Sequence, residues 1–222
     1  MNWSIEIHRE ITWDQLEAEQ ARFFELVLHD PDRACLLISE HKPTYTYGRA
    51  ASPSDCLLTS EEIERRGVAV RRVSRGGKWT YHGPGQIVVF PILAIEHAGY
   101  HLLDIKAFLG TVRDRVSDFL TELGLPPDHA VSGRVESPFG LYVQERKLVS
   151  FGVHVHQGIN THGLALYHAD QTEPFQAIHP CGVPGERFAS LKGLGVDLDW
   201  ETAARQLAGH LENKGLFRQK PA

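Results

Sequence analysis

Arg75-Gly76-Gly77-Lys78-Trp79-Thr80-Tyr81-His82-Gly83-Pro84-Gly85-Gln86 places four glycines and one proline within twelve residues. Glycine loses more backbone entropy on ordering than any other residue, and proline brings no N–H to a ladder. Such a run therefore makes neither a helix nor a central strand and reads as a shaped loop. Val68-Ala69-Val70-Arg71-Arg72-Val73 before it and Ile87-Val88-Val89-Phe90 after it are rich in β-branched residues and read as strands. A glycine-rich loop held between strands lets backbone approach a ligand closely, while Arg75, Lys78, Thr80, Tyr81 and His82 set donors around it. A tight surface turn would use the same glycines without gathering so many polar and aromatic groups. The lysine and threonine do not follow the Gly-x-x-x-x-Gly-Lys-Ser/Thr spacing of a Walker phosphate loop.

Around this loop the 222 residues, 42% hydrophobic and 23% charged, can bury a sizeable core and suit one domain over 1–222. A net charge of -5 argues against general nucleic-acid affinity. Arg65, Arg66, Arg71, Arg72, Arg75 and Lys78 lie close together, either as a basic patch leading into the loop or as solvated ends of elements. Cys35, Cys56 and Cys181, with no Cys-x-x-Cys, fit a reducing cytoplasm better than a disulfide scaffold. The first ten residues hold no basic segment followed by an apolar run, and no stretch approaches the length of a membrane span. A cytoplasmic location without membrane contact is expected.

Along the chain, Thr12-Trp13-Asp14-Gln15 has the spacing of a capping box and predicts a helix over 13–28, with Leu16, Phe23, Phe24 and Val27 on one face. Cys35-Leu36-Leu37-Ile38 reads as a buried strand in which Cys35 is packing. Residues 57–66 form a short helix closed by Gly67. Leu103, Ile105, Phe108, Leu109, Val112, Val116, Phe119, Leu120 and Leu123 recur at three- and four-residue steps and predict the clearest amphipathic helix, stopped by Gly124. Residues 141–143 and 148–156 read as a β-hairpin with Lys147 at its turn or at the start of its second strand, and 163–167 as a third strand. A last helix is expected over 199–213.

Pro180, Gly182 and the Pro184-Gly185 turn present Cys181 on a loop, a setting for reaction more than for packing. The thiolate is the nucleophile, so a base or cation must stand near it; Lys147, His154, His156, His162, His168 and His179 are the candidates, and residue types alone do not choose among them.

The motif Arg-Gly-Gly-x-x-Thr-Tyr-His-Gly-Pro-Gly-Gln resembles the hallmark loop of the lipoyl(octanoyl) transferases. Further segments agree in order: Lys147-Leu148-Val149-Ser150-Phe151-Gly152, His162-Gly163-Leu164-Ala165-Leu166 and Pro180-Cys181-Gly182. The resemblance implies an α/β (α+β) fold with a mixed central β-sheet flanked by helices, like the catalytic domain of lipoate and biotin protein ligases. It implies octanoyl transfer from octanoyl-acyl carrier protein to a lysine of lipoate-dependent enzymes, the lipoyl domains of 2-oxoacid dehydrogenases and the glycine cleavage H protein. No cofactor or metal is implied. Cys181 would carry the acyl group as a thioester and Lys147 would exchange the proton. The acyl pocket would use Arg75, Gly76, Gly77, Lys78, Trp79, Thr80, Tyr81 and His82, then Ser150, Phe151 and Gly152, then Gly163, Leu164 and Ala165. Tyr47 and Arg49, in a segment similar to one that walls the family's site, rank behind these. Where the family has an asparagine after its His-Gly-Leu-Ala-Leu, this chain has Tyr167.

Two other enzymes remain in view. A zinc hydrolase would draw its ligands from His154, His156, His162, His168 and His179, of which His154 and His156 share one side of a strand. An ATP-dependent ligase of the lipoate or biotin type would share the fold and need no nucleophilic cysteine.

Overall fold

The computed structural model describes residues 2–128, 140–180 and 187–213. In chain order its strands are β1 Asn2–Ile11, β2 Arg33–His41, β3 Thr44–Tyr47, β4 Ala69–Arg72, β5 Trp79–His82, β6 Gln86–Ala94, β7 Gly140–Val143, β8 Arg146–Gly152, β9 Val155–His156, β10 Ile159–Asn160 and β11 Gly163–Tyr167. The α-helices are α1 Trp13–His29, α2 Ser60–Arg66, α3 Ile105–Glu122, the single turn α4 Thr172–Phe175 and α5 Trp200–Asn213.

The large sheet runs β1-β2-β6-β11-β8-β7, with β10 beside β6 and β9 beside β10. β1 and β2 are parallel with α1 as their crossover, and the other pairs of this sheet are antiparallel, so the sheet is mixed as expected. Alternation along each central strand sends side chains into two cores. Leu36 and Ile38 of β2, Ile87 and Val89 of β6, and Leu164 and Leu166 of β11 face α3 and α5. Leu37, Val88, Phe90, Ala165 and Tyr167 face α1 and a second sheet, β4-β3-β5.

Several expectations shift. The strand after the glycine loop continues through Pro91 to Ala94. In an extended strand the nitrogen of Pro91 points the same way as its carbonyl, toward the gap where β11 has ended at Val89 and β10 has yet to begin at Leu93. Asn160 Nδ2 fills that gap, donating to the Pro91 carbonyl at 2.6 Å. Within the loop itself, residues 79–82 form β5, because the four glycines fall outside this short segment. Residues 44–47 are likewise a strand. β1 is a further strand, at the edge of the large sheet, and its alternating Trp3, Ile5 and Ile7 are only partly covered. Leu103 lies before the N-cap Asp104 of α3 and is 90% exposed, so it does not belong to the helix face. The helices anticipated at 13–28 and 199–213 are α1 and α5, the first closed by the Thr12–Gln15 capping box.

Strand β11 lies so close to β6 that a Cβ at Gly163 would overlap the Val89 carbonyl oxygen and stand 2.6 Å from Pro91 Cδ. Gly163→Ala is expected to destabilise the chain by roughly 2 kcal/mol or more, read as a lower urea midpoint. Gly110→Ala in α3, where an added Cβ meets nothing within 4 Å, should raise stability by about 0.5–1 kcal/mol.

Candidate active site

The glycine loop is braced from both ends. The guanidinium of Arg75 turns back into its own loop, donating to the Gly76 and Lys78 carbonyls and to the carbonyl and hydroxyl of Thr46, at 2.8–3.0 Å. The N–H groups of Gly48, Arg49 and Ala50 donate to the carbonyls of Lys78, Arg75 and Gly77. Gly48 is obligatory here, since a Cβ would sit 2.6–2.9 Å from the carbonyl oxygens of residues 75, 76 and 77. At the other end Gly85 donates to Glu40, and the buried Gln86 side chain donates to the Tyr81 carbonyl and to Gln171. The nearby arginines do not form a patch: Arg65, Arg66 and Arg71 pair with Glu62, Glu173 and Asp14 at the ends of their elements.

Between the large sheet and the small one lies a cavity of about 450 Å³. Arg75, Gly76, Gly77, Lys78, Trp79, Thr80 and His82 line one side of it, and Ser150, Phe151, Gly152, Gly163, Leu164 and Ala165 the other. Of the residues anticipated there, Tyr81 turns away, packing its ring on Tyr45 and Phe175 as its position in β5 between Thr80 and His82 requires. Tyr47 stacks on Trp79 from behind, with ring centroids 4.9 Å apart. His162, named above as a candidate base and as the first residue of the His-Gly-Leu-Ala-Leu motif, lines the cavity as well. Trp13, Phe90, Tyr142 and Val153 also line it; each arrives by the alternation or crossing of an element, which only pairing register reveals.

Lys147 reaches this cavity through a one-residue irregularity. The register of β7 and β8 runs Gly140↔Ser150 and Leu141↔Val149, then Tyr142↔Lys147, so Leu148 is an extra residue bulged out of the ladder. In a regular strand Lys147 would face away from Ser150. The bulge restores it to the same side and into the cavity. Its side chain is buried, with Nζ 5.6 Å from the centroid of the Tyr142 ring. Gly140 makes room for it, because a Cβ there would stand 2.6 Å from Lys147 Cε. Gln144 and Glu145 form the two-residue hairpin turn with φ of 51° and 58°, which sets the start of β8 at Arg146. The Lys147 backbone is bridged to the segment that follows Cys181: its N–H donates to the Arg187 carbonyl at 2.8 Å and its carbonyl accepts from Ala189 at 2.9 Å. Cys181 itself lies outside the described residues. On the preceding side the chain is pinned by a bridge from Ile178 to Cys56 and by the His179 N–H donating to Asp55.

The histidines separate. Trp13 stacks on both His41 and His82, and burial holds both imidazoles below their ordinary range, His41 to about 4. Burial, reinforced by the Arg75 charge, brings His162 to about 3. His162 packs on Phe90, with Nδ1 near Thr161 and Gln20. His154 and His156 stack on each other, while His168 meets the Leu198 carbonyl. Among the described residues no three His, Cys, Asp or Glu side chains converge to hold a metal. Tyr167 lies beneath the cavity, fully buried, its hydroxyl 2.7 Å from Ser150 Oγ and its ring edge-on to Phe175 and Phe188.

Residues 13–212 match the family described as the lipoyl protein ligase A/B catalytic domain. An octanoyltransferase of Alcanivorax borkumensis is 34% identical over 177 residues, covering 80% of this chain and 66% of that protein. One of Alkalilimnicola ehrlichii is 36% identical over 180 residues, covering 81% and 76%. A bi-partite lipoate protein ligase of Thermoplasma acidophilum superposes with a TM-score of 0.69 at 14% identity, over 93% of this chain and 82% of that one, a likeness of fold.

Two outcomes are expected of these buried groups. His41, His82 and His162 are neutral when folded but bind protons below pH 6.5 when unfolded. The unfolded state therefore gains protons first, and stability falls as pH drops from 6.5 toward 4. For His41 alone the loss is on the order of 3 kcal/mol. Urea midpoints across that range should follow this slope, and His41→Gln should make it shallower. Tyr167→Phe should cost about 1–2 kcal/mol by taking the hydroxyl partner from Ser150, measured by the same midpoints.

Proposed function

This chain belongs to the lipoyl protein ligase A/B catalytic-domain family, among its octanoyltransferases, and from that premise we propose the reaction its cavity serves. The octanoyl group comes from octanoyl-acyl carrier protein and ends as an amide on a lysine of lipoate-dependent proteins. The acceptors are the lipoyl domains of 2-oxoacid dehydrogenases and the glycine cleavage H protein, in the cytoplasm. The observation that carries this reading is Lys147: its amine is buried in an otherwise largely apolar cavity, and its backbone is bridged to the segment leading out of the Cys181 loop.

An ammonium beside Cys181 favours the thiolate by charge attraction. The thiolate attacks the thioester carbonyl carbon. A bond forms to the Cys181 sulfur, the bond to the donor sulfur breaks, and Lys147 gives its proton to the departing thiolate, leaving a neutral amine. The acceptor amine then attacks the octanoyl-cysteine. The new C–N bond forms, the cysteine thiolate leaves, and the proton lost by nitrogen goes to Lys147, restoring the starting pair. Backbone N–H groups of the glycine loop are the candidate donors to the tetrahedral oxyanion. Trp13, Phe90, Phe151, Val153, Leu164 and Ala165 supply apolar wall for the acyl chain. Each methylene buried there is worth about 0.8 kcal/mol, which gives chain length its influence on binding.

Incubation with octanoyl-acyl carrier protein should leave one octanoyl mass on the intact protein, absent from Cys181→Ser. No adduct on the unaltered chain, or an adduct persisting in Cys181→Ser, would sink the thioester route, and ATP-dependent activity in Cys181→Ser would favour a ligase. Lys147→Arg keeps the charge but cannot release its proton, so kcat should fall by about 100-fold or more with the fold retained by circular dichroism.

A further inference from the structure

Beside the acyl cavity, across the backbone strip where Lys147 meets Phe188, lies a second cavity of about 550 Å³. Both cavities are lined by cations, but in the first the Arg75 guanidinium is bonded to its own loop and to Thr46, and Lys78 pairs with Asp55. Arg146, Arg187 and His179 line the second, and among its described lining residues there is no aspartate or glutamate, in a chain whose net charge is -5. One wall is the stacked pair Phe175 and Phe188, with centroids 4.0 Å apart. Gln176 adds an amide. The acids near it lie outside the lining: Glu145 approaches Arg187 at 3.6 Å, with both side chains more than half exposed, and Arg146 donates to the neutral Gln144. Such exposed partners are exchanged at little cost when an anion arrives.

The position is as informative as the charge. Arg146 and Lys147 are consecutive in β8 yet line different cavities, and Pro180 and Arg187, the nearest described residues on either side of Cys181, both line the second one. A thioester donor has an apolar acyl group on one side of the reacting carbon and a carrier arm on the other. With the acyl group in the apolar cavity, the arm needs a path that begins beside Cys181 and can receive a negative charge. Resting on the octanoyl-transfer reading, we propose that this second cavity binds the phosphate-bearing arm of the thioester donor, with Arg146 and Arg187 holding the phosphate and the Phe175–Phe188 wall and Gln176 receiving the amide-containing arm. The guanidinium fork suits phosphate oxygens, and a volume in the range of small-molecule pockets suits a slender arm better than a flat protein surface.

The test compares two small donors, the octanoyl thioesters of 4′-phosphopantetheine and of pantetheine, which differ only by the phosphate, with a lipoyl domain as acceptor. In the double variant Arg146→Gln/Arg187→Gln the KM for the phosphorylated donor should rise about tenfold or more through loss of the charge-assisted bonds, while kcat stays within about twofold and the KM for the pantetheine thioester is unchanged. Inorganic phosphate should compete with the phosphorylated donor in the unaltered enzyme and lose that effect in the variant. Equal KM changes for the two donors, or none, would overturn the phosphate site. So would a defect confined to octanoyl-acyl carrier protein, which would indicate a contact with the carrier's protein surface instead. An unaltered enzyme that transfers from none of the donors would fail the reaction itself, and the anion site with it.

Discussion

Burying a lysine side chain is costly, because a charged or polar terminus loses water in exchange for whatever the protein provides. Among the described residues that cost is accepted at Lys147, and a single extra residue creates it. With Leu148 bulged from the β7–β8 ladder, Lys147 changes face, its amine enters the cavity over the Tyr142 ring, and Gly140 must remain without a side chain to admit it. The same backbone segment carries the bridge to Phe188, so the placement of the amine and of residues 187–189 is tied to one local feature.

The opposite wall is built from backbone. Four carbonyl-rich residues of the glycine loop are gripped by the N–H groups of residues 48–50 and by the folded-back guanidinium of Arg75. A loop restrained in this way can bring main-chain groups close to a substrate without the entropy cost of ordering it at each turnover. Behind it, His41, His82 and His162 are kept neutral by burial, and of these His82 and His162 line the cavity without adding positive charge beside Lys147. The departure at residue 167 fits this economy. Tyr167 packs edge-on against the stacked Phe175–Phe188 pair, with its hydroxyl at Ser150, supporting the cavity from below.

Two cavities flank the Lys147–Phe188 strip. The first is largely apolar, though Arg75, Lys78 and Lys147 also line it, and the second is lined by Arg146, His179 and Arg187 and lies against the described residues on either side of Cys181. Adjacent residues of β8 serve each, an arrangement open to a strand because consecutive side chains leave it in different directions.

Much was legible from local pattern. The capping box at Thr12, the periodicity of α3, the strands on either side of the glycine loop and the hairpin around Gln144-Glu145 depend on neighbours within a few residues, and the chain forms them where those patterns lie. The motifs likewise marked the loop, β8 and β11 as walls of one site, because glycine and small residues at fixed spacing announce a close approach of backbone. Pairing register was another matter. The bulge that aims Lys147, the gap that tolerates Pro91 in a central strand, the turning away of Tyr81, and the arrival of Trp13, Phe90 and Tyr142 in the cavity all follow from which strand lies against which. Short-range chemistry, written residue by residue, decided the elements and the reactive groups. Contacts between positions far apart in the chain, whose energy exists only once the sheets have assembled, decided which of those groups face each other.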